Sequence, residues 1–127
     1  MTKPTNILKI KSKTLDELFY NWFLILKPIH KLSNKECVLA SKLYKVRHEL
    51  KDVILDKDIL DATILSDTSR KKIVEEMGIT ITHLQVLLTS LRKKNILIEN
   101  KLNPKFIPQI KDSNLVLYIN FEAPKAN

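Results

Sequence analysis

The 127-residue sequence predicts a mainly α fold with a small β element, and three observations support this. The segment from Ser69 to Ile98 reads as a helix, a turn centred on Gly78, a second helix and the start of a strand. Two capping boxes upstream mark the beginnings of further helices. Near the C-terminus a run rich in β-branched and aromatic residues predicts a strand. With one glycine and no long linker, these elements form one continuous fold.

The chain divides into three parts. We expect residues 1–32 to form an N-terminal strand or arm and an aromatic helix packed on the main domain. Residues 33–122 are expected to form that domain, and residues 123–127 a tail. Residues 6–11 alternate as a short edge strand would, although a disordered basic arm is an alternative.

The first helix begins at a capping box that starts at Thr14, and it is expected to stop at Leu26 because Pro28 follows. The helix is unusually rich in aromatic residues, and either a wide core contact or an oligomer or partner surface would explain them. Its expected buried stripe consists of Leu15, Leu18, Phe19, Trp22 and Leu26. The aromatic residues expected at a partner surface are Phe19, Trp22 and Phe23.

Two further helices are expected before the glycine turn. A second capping box begins at Ser33 and starts the longest helix, predicted over 34–53. Residues 56–65 predict a shorter helix with acidic residues in its first turn, where the helix dipole favours them. The polar run 66–69 then supplies the cap of the next helix.

The glycine turn has a defined local pattern. Gly78 follows an apolar helix where a left-handed residue is wanted, and Ile79 packs back beneath the turn. Thr80 or Thr82 caps the next helix, and Asn95 takes the left-handed exit from it. The apolar face of that helix has helical spacing and consists of Leu84, Leu87, Leu88 and Leu91.

This segment resembles the winged helix-turn-helix family, particularly its MarR-type and plasmid replication-initiator branches. The matching residues are Gly78-Ile79, Leu91, Lys93-Lys94-Asn95 and Ile96-Leu97-Ile98. The resemblance implies an α+β winged helix-turn-helix fold, here with an extra N-terminal helix. It also implies two wing strands, which we place at 96–102 and 115–121, with the Pro-bounded piece and residues 109–114 as the loop or wing tip between them.

The resemblance further implies that the helix after Gly78 enters DNA and that its end and the wing contact phosphates. Two apolar residues, Ile81 and Val86, stand where the family usually carries polar or basic ones, and this favours docking onto protein instead. The residues expected to contact DNA are Thr80, Thr82, His83, Gln85, Thr89, Arg92, Lys93, Lys94, Lys101 and Lys105.

The net charge of +8 is distributed unevenly, because both ends of the chain are basic and residues 56–80 carry −2. Such a surface attracts phosphate or an acidic partner, although solubility alone is an alternative explanation. Nineteen of the 22 cations are Lys. Lys is a mobile point charge, whereas Arg forms the rigid fork that reads guanine. The composition therefore favours holding a polyanion over reading its sequence.

Catalytic chemistry is not predicted. Three scattered histidines, His30 in a loop, His48 and His83, lack the spacing of a metal site, and no Gly-rich phosphate loop is present. Cys37 cannot form an internal disulfide and is expected in the core. We therefore expect a non-enzyme without cofactor or metal. The sequence also lacks a membrane-spanning run and a secretory pattern, so we expect a cytoplasmic protein.

Two partners remain after these exclusions. The first is duplex DNA, bound mainly through its phosphates by a regulator of transcription or replication. The second is a set of neighbouring subunits in a virion or head-tail assembly, because the chain as a whole is similar to small winged-helix proteins of tailed phages. Ile81, Val86 and the aromatic helix around Trp22 would form the docking surface in that case. Self-association through the N-terminal helix is compatible with both.

Overall fold

The computed structural model describes residues 12–111 and 114–115, and it confirms a mainly α fold with a small antiparallel β part. Five helices come first, followed by two short hairpins with a 3-10 turn between them. The helices are α1 Leu15–His30, α2 Asn34–Leu50, α3 Lys57–Ile64, α4 Asp67–Met77 and α5 Ile81–Lys93. The hairpins are β1 Leu97–Ile98 with β2 Lys101–Leu102 and β3 Ile110–Lys111 with β4 Asn114–Leu115, and the 3-10 turn is Pro104–Phe106. The strand predicted over 6–11 lies outside the described residues.

Helix α1 begins at its Thr14 cap as predicted, but it continues four residues beyond Leu26. Pro28 removes only one hydrogen bond of the last turn, so the helix runs through it and His30 is helical instead of lying in a loop. The helix ends at Lys31, which adopts a left-handed conformation with φ 55°. The buried face is also shifted, because Phe23 is buried while Leu15 is exposed.

Helices α2 and α4 begin at predicted caps, whereas α3 begins one residue later than predicted, because Asp56 is its cap and not its first helical residue. Ser33 and Glu36 form the reciprocal capping box of α2, while Asp56 caps α3 and Ser66 caps α4. Helix α2 is shorter than expected, since it ends at Leu50 and not at residue 53. The chain turns there because Ile54 N–H bonds back to the Leu50 carbonyl (2.8 Å) and Ile54 packs on the core.

The turn between α4 and α5 follows the sequence prediction. Gly78 is left-handed with φ 64°, and Ile79 N–H donates back to the Val74 carbonyl at 3.2 Å. Thr80 is the N-cap of α5, since its hydroxyl accepts from His83 N–H at 3.0 Å. The Leu84, Leu87, Leu88 and Leu91 side chains are all buried, and Asn95 leaves the helix with φ 63°.

The strands after α5 differ from the predicted wing. The first predicted wing strand, 96–102, is itself a hairpin, in which Leu97 pairs with Leu102 around the two-residue turn Glu99–Asn100. Glu99 makes the reversal in the left-handed region with φ 56°. The region predicted as a loop, 109–114, contains strand β3 and the first residue of its partner strand β4. Of the second predicted wing strand only its first residue lies in the described part.

One core joins α1 to the helices and the hairpin that follow. Two buried polar groups fix the C-terminal elements on it: Tyr44 Oη donates to the Ile96 carbonyl (2.6 Å) and accepts from Asn103 N–H (3.1 Å), while Trp22 Nε1 donates to the Phe106 carbonyl (2.8 Å). The core residues are Phe19, Trp22, Phe23, Leu26, Leu32, Cys37, Leu39, Ala40, Leu43, Tyr44, Leu60, Ile64, Leu65, Ile73, Leu84, Leu87, Leu88, Leu91, Ile96, Leu97, Leu102 and Phe106. Cys37 is thus a core residue, as predicted.

We expect the Tyr44→Phe substitution to lower the free energy of unfolding by about 2 kcal/mol, because it removes the hydrogen bond that the hydroxyl donates to the Ile96 carbonyl and the one that it accepts from Asn103 N–H. Burial raises the pKa of Tyr44, so its hydroxyl remains a donor at any ordinary pH. Urea denaturation followed by far-UV circular dichroism measures the change. Tyr20→Phe is the matched control, since Tyr20 is only partly buried and forms no hydrogen bond within the described residues. Equal stability of the two variants would contradict the role given to Tyr44.

Candidate nucleic-acid interface

Helix α5 presents a continuous outward face opposite its leucine stripe. Successive residues of a helix are about 100° apart, so one face collects residues three and four positions apart. The residues exposed on this face are Ile81, Thr82, Gln85, Val86, Thr89 and Lys93. Its centre is polar, whereas Ile81 and Val86, which are 48% and 60% exposed, lie towards its two edges.

Several polar groups predicted to meet DNA already have partners inside the chain. The Thr80 hydroxyl caps α5, and Thr89 Oγ1 donates to the Gln85 carbonyl one turn earlier (2.9 Å). His83 is half-buried in the first turn of the helix. The side chains of Thr82 and Gln85 are exposed and make no hydrogen bond within the described residues. They are therefore the groups of this face best placed to contact a ligand.

Arg92 holds the β1–β2 hairpin to the end of α5. Its Nε donates to the Glu99 carbonyl (2.8 Å) and its Nη2 donates to the Asn100 side chain (3.1 Å). The guanidinium is therefore hydrogen-bonded to both residues of the hairpin turn. Arg92 thus positions this hairpin beside α5, and the phosphate contact expected from it stays a prediction.

Lys94 is also committed to an internal contact, with Glu36 in the first turn of α2. Its Nζ lies 2.7 Å from Glu36 Oε1 and 2.8 Å from the Lys31 carbonyl at the end of α1. The second carboxylate oxygen of Glu36, Oε2, accepts a hydrogen bond from Ser90 Oγ at 2.7 Å. The Ser33 N–H donates to Oε1 at 2.8 Å. This ion pair joins the end of α1, the start of α2 and the last turn of α5.

The Glu36 carboxylate is only 3% exposed, so its charge has to be stabilised by its neighbours. Burial alone would raise the pKa of Glu36. The hydrogen bonds from Lys94, Ser90 and Ser33 outweigh burial and lower that pKa to about 2. The group therefore stays ionised in the folded protein at any pH well above 2.

The Glu36 ion pair brings together lysines that lie far apart in the sequence. Because it fixes the α1–α2 turn against the last turn of α5, Lys31 and Lys35 lie in the segment that contacts the turn carrying Lys93 and Lys94. Lys27 adds a fifth positive charge, and its Nζ donates to the Asn34 side chain. We refer to Lys27, Lys31, Lys35, Lys93 and Lys94 as the basic cluster. Among the described residues, only Lys94 of these five forms an ion pair.

Sequence reasoning missed Lys27, Lys31 and Lys35, although it identified Lys93 and Lys94. A weak signal exists, because four cations occur within 27–35 around the second capping box when His30 is counted. The sequence alone does not indicate which helix the α1–α2 turn packs against. The contact depends on a tertiary ion pair between residues 58 positions apart.

The remaining predicted lysines lie on the other side of α5. Lys101 is exposed on β2 of the hairpin that Arg92 holds, and Lys105 is exposed in the 3-10 turn that follows. The two histidines near the core add little positive charge at neutral pH. Burial lowers the pKa of His30 and of His48, and the neighbouring charges of Lys105 and Lys51 respectively lower it further.

The aromatic residues of α1 are not at the surface. Phe19, Trp22 and Phe23 are buried in the core, where the Phe23 ring lies 5.0 Å from the Tyr44 ring. The wide core contact therefore accounts for the aromatic residues of α1. Of the five residues predicted at a partner interface, only Ile81 and Val86 are exposed.

The described residues contain no group of three or more His, Cys, Asp or Glu side chains that could hold a metal ion. A cleft of about 210 Å³ lies between the C-terminal half of α2 and residues 107–110, and it is lined in part by Arg47, His48 and Lys51. None of the helices in the described part is long and apolar enough to cross a membrane.

No protein-family model, curated protein or solved structure matches this chain.

We expect the Glu36 ion pair to make stability depend on pH in the acid range. The folded-state pKa lies below the ordinary value of 4.5, so the stabilisation is complete above pH 4.5 and is lost as the pH falls towards 2. By pH 3 this group should have lost about 2 kcal/mol of its stabilisation, out of about 3 kcal/mol in total. Urea midpoints at pH 6 and pH 3 measure it for the wild-type protein and for Glu36→Gln. The Glu36→Gln variant should be less stable than the wild-type protein at pH 6, but its free energy of unfolding should fall less between pH 6 and pH 3. A parallel loss in both proteins would exclude Glu36 as the cause.

Proposed function

We propose that this protein is a non-enzymatic winged-helix protein that binds duplex DNA through α5 and acts as a regulator of transcription or replication. The observation that supports the proposal is the arrangement around α5. Its polar outward face lies between the basic cluster on one side and the β1–β2 hairpin with Lys101 on the other. A protruding helix flanked by lysines suits a groove flanked by two phosphate strands.

In this proposal the hairpin held by Arg92 is a short wing. Arg92 holds the Glu99–Asn100 turn, and the buried Leu97 and Leu102 attach the base of the hairpin to the core. The exposed side of this hairpin carries Ile98 and Lys101. In this role Lys101 would meet the phosphate backbone beside the helix.

Contacts to bases would come from the middle of the exposed α5 face. Gln85 is exposed and can pair with the N6 and N7 edge of adenine, and Thr82 can donate to a base or to a phosphate. The outward face carries no Arg, because Arg92 is bonded to the hairpin. With lysines as the main ligands, most of the affinity would come from phosphates and sequence discrimination would be modest.

The proposal is tested by fluorescence anisotropy of a labelled mixed-sequence duplex titrated at several salt concentrations. The free lysines near α5 are Lys31, Lys35, Lys93, Lys101 and Lys105, and we expect about four phosphate contacts. The logarithm of the binding constant should then fall linearly with the logarithm of salt concentration, with a slope near −4. Absence of binding at low salt would refute the proposal.

The Lys93→Glu substitution should weaken binding about tenfold at low salt and reduce the magnitude of the salt slope by about 1. Lys93 is exposed on the α5 face, makes no ion pair within the described residues, and is not part of the core. Lys57→Glu in the first turn of α3 is the matched control, because it makes the same charge change on another helix. Similar effects of both substitutions would show that net charge, and not the α5 face, governs binding. Lys94 is unsuitable for this test because its loss would leave Glu36 buried without its cation.

A second candidate function is structural, as a component of a phage particle or another assembly. The observation that favours it is the exposure of Ile81 and Val86 on a helix with no cation before Arg92. Paired Ile81→Asp and Val86→Asp substitutions should then abolish assembly while leaving the fold unchanged. Assembly at the wild-type level with these substitutions would remove the support for this candidate.

A further inference from the structure

A second apolar surface occurs at the far end of α2, in the loop leading to α3. Val53, Leu55 and Ile59 are 77%, 86% and 57% exposed within seven residues of sequence. Their neighbours Ile54 and Leu60 turn inwards and pack on the core. The exposed apolar side chains therefore belong to a segment whose other apolar residues pack on the core. We refer to residues 52–59 as the acidic loop.

The charge of the acidic loop is negative. Asp52, Asp56 and Asp58 are all exposed, and Lys57 is the only cation within the loop. Asp56 is fixed by its role as the cap of α3, where its carboxylate accepts from two backbone N–H groups. An exposed apolar patch surrounded by carboxylates favours a partner surface that is apolar and positively charged.

The same chain contains such a surface at the edge of α5. Val86 is 60% exposed and lies one turn before Ser90, which is bonded to Glu36 at the start of α2. This places Val86 near the basic cluster of Lys31, Lys35 and Lys93. No acidic residue occurs between Ile81 and Ile98, so the positive charge of this surface is not offset by the helix itself.

The two surfaces cannot meet within one molecule. Helix α2 has 17 residues and is therefore about 25 Å long. The basic cluster lies at its N-terminal end, where Glu36 is bonded to α5, and the acidic loop follows its C-terminal end. A contact between them must join two copies of the chain.

We infer that the acidic loop of one copy docks on the basic cluster and Val86 of a second copy, so that the protein associates head to tail. Leu55 and Val53 would cover Val86, while Asp56 and Asp58 would face the lysines. Asp52 already pairs with Lys51 of its own chain, at 3.9 Å. Such a contact is heterologous, because each copy uses a different surface, and it leaves one free surface at each end. The pairing does not require DNA, but it covers lysines that are also proposed to contact phosphates, so DNA would compete with the second copy for this surface.

The decisive experiment uses two variants, each of which blocks one surface. Leu55→Glu disables the acidic loop and Val86→Glu disables the surface beside the basic cluster, and both positions are exposed, so the fold should be retained. Each variant alone should be monomeric in sedimentation velocity at concentrations up to about 100 μM, where an interface of micromolar affinity is populated. An equimolar mixture should form a one-to-one complex, because each variant keeps the surface that the other lacks. The wild-type protein should form larger species, with weaker association at high salt.

Ile81→Glu is the matched control on the same helix. Ile81 lies five residues before Val86 and is exposed on the opposite edge of the α5 face, so this variant should associate like the wild-type protein. Circular dichroism confirms that all three variants are folded. A monomeric wild-type protein at low salt would overturn the inference. A mixture of the two blocked variants without a complex would overturn it as well, even if the wild-type protein associates. Because DNA is absent from these experiments, their outcome is independent of whether the protein binds DNA.

Discussion

The structure depends most on the buried carboxylate of Glu36. It accepts hydrogen bonds from Lys94, Ser90 and the Ser33 backbone, and Lys94 reaches on to the Lys31 carbonyl. One acidic side chain thereby joins the end of α1, the start of α2 and the last turn of α5. Removing one partner of such a pair leaves an uncompensated buried charge, which is why the arrangement specifies a single relative position for these helices. The leucine stripe of α5 alone would tolerate sliding or rotation more easily.

The buried groups at the other side of α5 extend the same core to the hairpin. Tyr44 holds both ends of the β1–β2 hairpin, and Trp22 holds the 3-10 turn through the Phe106 carbonyl. Both are aromatic residues whose polar atoms find backbone partners, as buried Tyr and Trp usually do. The outward face of α5 is therefore bounded by two fixed edges. Its accessibility follows from the packing of its neighbours more than from its own sequence.

Local features could be predicted from the sequence because their causes are local. The Gly78 turn, the Thr80 cap and the leucine stripe of α5 depend on residues within a few positions of each other. The predicted end of α1 was wrong because Pro28 removes only one hydrogen bond of the last turn. The helix therefore continues to His30 and ends at the left-handed Lys31. The first predicted wing strand was wrong because Glu99 and Asn100 form a tight reversal inside it, which Arg92 holds by hydrogen bonds. The basic cluster could not be found, since it requires knowing that residue 36 bonds to residue 94.

The basic cluster also links folding to the binding of polyanions. Its lysines come from the α1–α2 turn and from the end of α5, so they are neighbours only in the folded chain. An unfolded chain has the same net charge but spreads these lysines over nearly seventy residues. Any polyanion that prefers the assembled cluster must therefore stabilise the native state by mass action. The melting temperature of this protein would then rise with the concentration of such a ligand, and the size of the rise would report how much of the binding surface is created by folding.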